Sequence, residues 1–133
     1  MIKNITNSVV YIGVDDTDID LFESQYVVPN GVSYNSDCIF DEKVAVMDTV
    51  DLRKCEEWMQ NLETALNGRT PDYLVVQHLE PDHAGSIAKV LEKYPNMQVV
   101  ASDQAVKMMP QFFFDVGVEG RTMGVKEGGT LSL

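Results

Sequence analysis

The stretch Tyr73-Leu74-Val75-Val76-Gln77-His78-Leu79-Glu80-Pro81-Asp82-His83-Ala84-Gly85-Ser86 decides how this chain folds and where its chemistry lies. It opens on a continuous apolar run, Tyr73 to Gln77, of the kind buried in parallel sheets. A short helix is predicted beyond it, roughly Ser86 to Lys93, with Ile87, Val90 and Leu91 facing inward. Met97-Gln98-Val99-Val100-Ala101 supplies another strand, and Ser102 can cap a helix running through Ala105, Val106 and Met109 to about Phe112. Right-handed crossovers place such successive strands parallel in one sheet, with the helices packed on a face.

Upstream, the pattern is that of short strands. Ser8 to Val14 is apolar and β-branched, and it leads into Asp15, Asp16, Asp18 and Asp20. Those four lack the glycine and closing glutamate of a calcium loop and read as a solvated loop. Gln25 to Val28 ends at the turn Pro29-Asn30-Gly31. Ser33 to Phe40 and Lys43 to Asp48 flank Asp41-Glu42 as an antiparallel hairpin. The period then changes. Leu52, Cys55, Met59, Leu62 and Leu66 share one helical face, widened by Trp58 and Ala65. Asp51 is placed to cap that helix, and Gly68 suits the left-handed position after it. The tail from Arg121 to Leu133 looks like the start of a further hairpin and stops on an apolar strand, so the chain is expected to be incomplete.

Composition narrows the function classes. The chain has 133 residues and 44% hydrophobic content, enough for one packed domain without a linker or repeat. It contains no apolar run of the roughly 18 residues a membrane span needs, so no membrane partner is expected. A net charge of -11 repels phosphate backbones, which argues against nucleic acid. Cys38 and Cys55 form neither a metal-binding pair nor a disulfide framework, and a reducing cytoplasm is the simplest setting. Cys55 is expected on the inward helix face, and the aromatic run Phe112-Phe113-Phe114 in the core or at a dimer interface.

The chemistry gathers in one place. Both histidines fall within His78-Leu79-Glu80-Pro81-Asp82-His83, at the carboxyl end of the buried strand. Strand ends leave a crevice there, into which loops point their side chains. His78 and Glu80 alternate with Leu79, Pro81 stiffens the loop, and Gly85 permits a tight turn into the helix. Singly, each residue has an ordinary reading: Asp82 as a helix cap, His83 as a surface residue, Glu80 as a solvated acid. Together they read as metal ligands.

This motif resembles the first metal motif of the metallo-β-lactamase superfamily, in the variant used by flavodiiron proteins (A-type flavoproteins). Phe22 to Tyr26, Pro29 to Ser36, Lys43 to Val50 and Pro71 to Val76 also resemble that family's N-terminal region. The resemblance implies an α/β fold, half of an αββα sandwich, with one mixed sheet and helices on its outer face. The whole chain, 1–133, would be a single partial domain, the N-terminal half of a metallo-β-lactamase-like domain. It implies a di-iron site in which His78 and Glu80 bind one iron while Asp82 and His83 bind the other. It further implies reduction of oxygen or nitric oxide, with electrons from FMN on a flavodoxin-like domain. Carboxylate at Glu80, where the hydrolases of the superfamily carry histidine, favours iron or manganese over zinc.

The chain departs from the family pattern in two respects. No histidine follows His83, and no flavin phosphate loop is present, so the remaining ligands and the flavodoxin-like domain are absent from it. Four ligands leave each metal two protein donors, and the chain alone is expected to be inactive. A bare sheet face is expected to form a homodimer, or to be covered by a separate chain carrying the missing half. Two other readings stand beside a truncated flavodiiron oxidoreductase: an independent dimeric metal-binding or structural module, and a metallo-hydrolase, against which Glu80 argues.

Overall fold

The computed structural model describes residues 2–17, 21–22, 26–27, 31–77, 79, 84–112, 121–126 and 128–133. Its strands, in chain order, are β1 (Lys3–Asn4), β2 (Val9–Tyr11), β3 (Val14–Asp16), β4 (Leu21–Phe22), β5 (Tyr26–Val27) and β6 (Val32–Tyr34). They continue with β7 (Asp37–Phe40), β8 (Val44–Met47), β9 (Tyr73–Val75), β10 (Gln98–Ser102) and β11 (Thr122–Val125). Seven form one sheet in the order β1-β2-β7-β8-β9-β10-β11, while β3 pairs β6 and β4 pairs β5 separately. Neighbours from β1 to β8 are antiparallel, and those from β8 to β11 are parallel. The sheet is mixed, as expected for this α/β chain.

Among the described residues three helices serve the parallel half: α1 (Cys55–Leu66), α2 (Ile87–Lys93) and α3 (Asp103–Phe112). A 3-10 turn, Leu52–Lys54, precedes α1, and the Asp51 carboxylate accepts from the Arg53 N–H at 3.0 Å. Asp51 therefore caps the turn and not the α-helix proper. At the other end Asn67 (φ 47) and Gly68 (φ 91) are both left-handed, so the reversal expected at Gly68 begins one residue earlier. Asparagine tolerates that region better than most side chains. Ser102 caps α3 as expected, accepting from the Ala105 N–H at 3.1 Å.

One apolar cluster joins these layers. Trp58, Leu62 and Leu66 of α1, Ile87, Val90 and Leu91 of α2, and Met109 of α3 are buried with Cys38, Val46, Leu74, Val99 and Ala101 of the sheet. Each such large side chain contributes about 1.5–3 kcal/mol by leaving water, which holds the helices on this face. Arg121 locks the far end. Its guanidinium donates to the carbonyls of Leu91 (3.2 Å), Tyr94 (2.8 Å) and Met97 (2.9 Å), where α2 ends and its last carbonyls lack helical partners.

The opposite face has a different character. Residues paired directly across strands share a face, and one row runs Tyr11, Asp37, Met47, Val75, Val100, Met123. Val100 is buried, Met123 is exposed, and the other four are half-buried. Oδ1 of Asp37 is buried and has no hydrogen-bond partner among the described residues. Burial raises the Asp37 pKa.

Three expectations are corrected. The strand over Ser8 to Val14 is two strands, β2 and β3, in different sheets. The break falls at Ile12-Gly13, where the Tyr11 phenol and the Tyr34 carbonyl crowd so close to Gly13 that no side chain fits. The run Ser33 to Phe40 likewise divides into β6 and β7. The tail does not begin a hairpin among the described residues, since β11 pairs parallel with β10. Asp18, Asp20, Phe113 and Phe114 lie outside the described residues, as do Ser24, Pro29 and Asn30.

Cys38 is fully buried, and burial pushes its thiol up to about 12, the Arg69 charge opposing only in part. An unfolded cysteine ionises near 9.0. Stability held below that pH is therefore expected to fall as pH rises through about 12, because only the unfolded chain gains by ionising. Urea unfolding across that range checks it. A free energy that stays level above pH 9.0 would contradict the assignment.

Candidate metal centre

The described frame of the candidate site starts at the end of β8. After Met47 the chain enters Asp48 at φ 59, a left-handed conformation that aspartate adopts more readily than most residues. That turn sends the Asp48 N–H to the Val75 carbonyl of β9 at 2.8 Å. It also brings the Asp48 Oδ1 to accept from the Gln77 N–H at 2.8 Å. Gln77 is the residue immediately before His78.

The next two residues take the other end of the loop. Thr49 Oγ1 accepts from the Ser86 N–H at 3.3 Å, and Ser86 Oγ donates to the Val50 carbonyl at 3.0 Å. Asp48, Thr49, Val50 and Ser86 are all buried, and Leu79 packs against the core from within the loop. Buried hydrogen bonds of this kind are costly to leave unmade. One three-residue segment thus bonds Gln77, which precedes residues 78–83, and Ser86, which follows them three residues later. Val76 adds a further tie, donating to the Val100 carbonyl at 2.8 Å.

The four sequence-selected ligands, His78, Glu80, Asp82 and His83, lie outside the described residues. Among the described residues no group of three or more histidine, cysteine or acidic side chains could hold a metal ion. The frame around the loop is therefore what the geometry supplies.

A second polar cluster lies nearby in sequence and was not foreseen. Asp16, expected in a solvated loop, is fully buried. Its carboxylate accepts from the Tyr34 hydroxyl at 2.8 Å and pairs with Arg53 at 2.9 Å. Burial, and then the hydrogen bond to Asp16, raise the Tyr34 pKa. Only the alternation of Val14 and Asp16 along one strand face could have signalled an inward aspartate. Asn61 of α1 also reaches this arm, donating to the carbonyls of Ile12 (3.2 Å) and Gly13 (3.3 Å).

No family model matches the chain. Individual proteins do. The anaerobic nitric oxide reductase flavorubredoxin of Aliivibrio salmonicida is 36% identical over 107 residues, 80% of this chain and 21% of that protein. The rubredoxin oxygen:oxidoreductase of Desulfovibrio gigas superposes with a TM-score of 0.90 at 29% identity, over 99% of this chain and 32% of that one. The chain is similar to flavodiiron proteins over nearly its whole length. The flavodiiron protein of Giardia intestinalis agrees, with a TM-score of 0.87 and 26% identity over 99% of this chain. The fold is that of the flavodiiron metallo-β-lactamase-like domain. The chain spans about a third or less of the length of these relatives, namely 21%, 32% and 32%.

Asp48→Ala loses the acceptor for Gln77 and forces a left-handed alanine. It is expected to cost about 2–4 kcal/mol in chemical unfolding. Asp48→Asn keeps an oxygen acceptor and tolerates the conformation, so its cost should stay near 1 kcal/mol. Equal losses in the two variants would show that the side-chain bond to Gln77 contributes nothing.

Proposed function

We propose that this chain supplies the first metal-binding loop of a di-iron oxidoreductase acting on nitric oxide or oxygen. The observation that carries this reading is the clamp of Asp48, Thr49 and Val50 on Gln77 and Ser86, which flank residues 78–83. A loop fixed at both ends presents its side chains with less entropy left to lose on binding. His78 and Glu80 hold one metal, and Asp82 and His83 the other. The activities named for the relatives from Aliivibrio salmonicida and Desulfovibrio gigas, nitric oxide reductase and oxygen:oxidoreductase, support the substrate class.

Two donors per metal are too few for a tight site. The chain by itself is therefore a non-catalytic part, and further ligands come from elsewhere in the assembly. FMN, when bound on a flavodoxin-like domain, supplies the electrons. Both cysteines are free and buried, and no helix among the described residues is long and apolar enough to cross a membrane. A cytoplasmic setting fits those thiols.

The open sheet face also calls for cover. Its row of Tyr11, Met47, Val75 and Met123 is incompletely buried, and beside them the Asp37 Oδ1 has no partner among the described residues. A second copy of the chain is the proposed cover, giving a homodimer. The competing occupant is a separate chain carrying the rest of the domain. Sedimentation of the pure protein is expected to give a dimer that Val75→Glu dissociates. A monomer at all concentrations would point to the separate chain.

Metal content decides the main reading. Protein purified without oxygen from iron-supplied cells is expected to carry iron or manganese, and His78→Ala is expected to lose it. Metal-free wild-type protein, or metal retained by His78→Ala, would refute the assignment of the loop.

A further inference from the structure

Ser36 lies at the junction between β6 and β7, is not among the candidate ligands, and is fully buried. Its hydroxyl donates to the Asp48 carbonyl at 2.9 Å and accepts from the Trp58 Nε1–H at 3.0 Å. Its own carbonyl accepts from the Ile12 N–H at 2.8 Å. A serine hydroxyl has one hydrogen and rotates to suit its surroundings. With the indole N–H occupying the oxygen, that hydrogen is directed at Asp48.

The consequence falls on the peptide groups around Asp48. The Asp48 N–H is held by Val75 and the Asp48 carbonyl by Ser36, so both peptide planes flanking its α-carbon are fixed. Fixing both planes holds the left-handed turn and aims the Asp48 carboxylate at the Gln77 N–H. A relay thus runs from Ser36, through Asp48, to the backbone that enters His78. We infer that Ser36 is a positioning residue for the metal-binding loop, acting through Asp48. The inference rests on the reading of residues 78–83 as that loop, and it assigns a role to a side chain that touches no metal.

The test compares Ser36→Ala with Trp58→Phe in the full chain. Ser36→Ala removes the hydroxyl that donates to the Asp48 carbonyl. Trp58→Phe removes the indole N–H, leaves the serine hydroxyl on Asp48, and serves as a control for lost stability. Native-state hydrogen exchange is read as the ratio of the Gln77 rate to the Val76 rate, which cancels any change in global stability. Val76 is the reference because its amide bonds to Val100 and not to Asp48. The ratio is expected to rise about tenfold in Ser36→Ala and little in Trp58→Phe. Titration with manganese(II) alone is expected to show affinity about tenfold weaker in Ser36→Ala than in Trp58→Phe.

An unchanged ratio in Ser36→Ala overturns the inference. So does a raised ratio with unaltered manganese affinity, which would leave Ser36 a purely structural residue. If the wild-type protein takes up no manganese or iron, the metal-loop reading fails and takes the positioning role with it. That failure is distinguishable, because the exchange ratio would still show whether Ser36 governs Gln77.

Discussion

The parallel pairing of β8 with β9 is the constraint on which the rest of the structure depends. It sets Met47 beside Val75, so the two strands end together and their exits leave the sheet side by side. Everything at the candidate centre follows from that adjacency. The Asp48 turn reaches Gln77 only because β9 stops where it does, and Thr49 and Val50 meet Ser86 because α2 begins directly above them. The buried faces of α1 and α2 hold this register by covering Val46 and Leu74, so packing and polar contacts agree.

Much of this was legible in the sequence. The continuous run at Tyr73 to Gln77 and the helical spacing through Leu62 and Leu66 name a buried strand and an amphipathic helix. Such patterns survive because burial on a fixed period is their cause. What was not legible depends on contacts between distant residues. Nothing local marks Gly13 as the point where one apolar run divides between two sheets. An aspartate within an acidic run looks solvated until Arg53 and Tyr34 are seen to close on Asp16.

The candidate site divides in the same way. The candidate ligands His78, Glu80, Asp82 and His83 form a local pattern that the sequence alone displays. Its frame was not, because Asp48, Thr49 and Ser36 are ordinary residues whose roles arise only from their partners. The relatives it matches are much longer, and the chain spans 21% and 32% of two of them.

The clamp has a consequence for how the chain acquires its site. The bonds that define it join residues 29, 37 and 36 positions apart, whereas a helix closes over four. Contacts of such separation form only after the intervening chain has been ordered, and they belong to the slow, topology-limited part of folding. The nascent chain therefore carries its candidate ligand residues long before it has a frame to hold them. A metal ion that bound early would meet a flexible peptide, and selectivity for the right ion has to wait for β8 and β9 to come together.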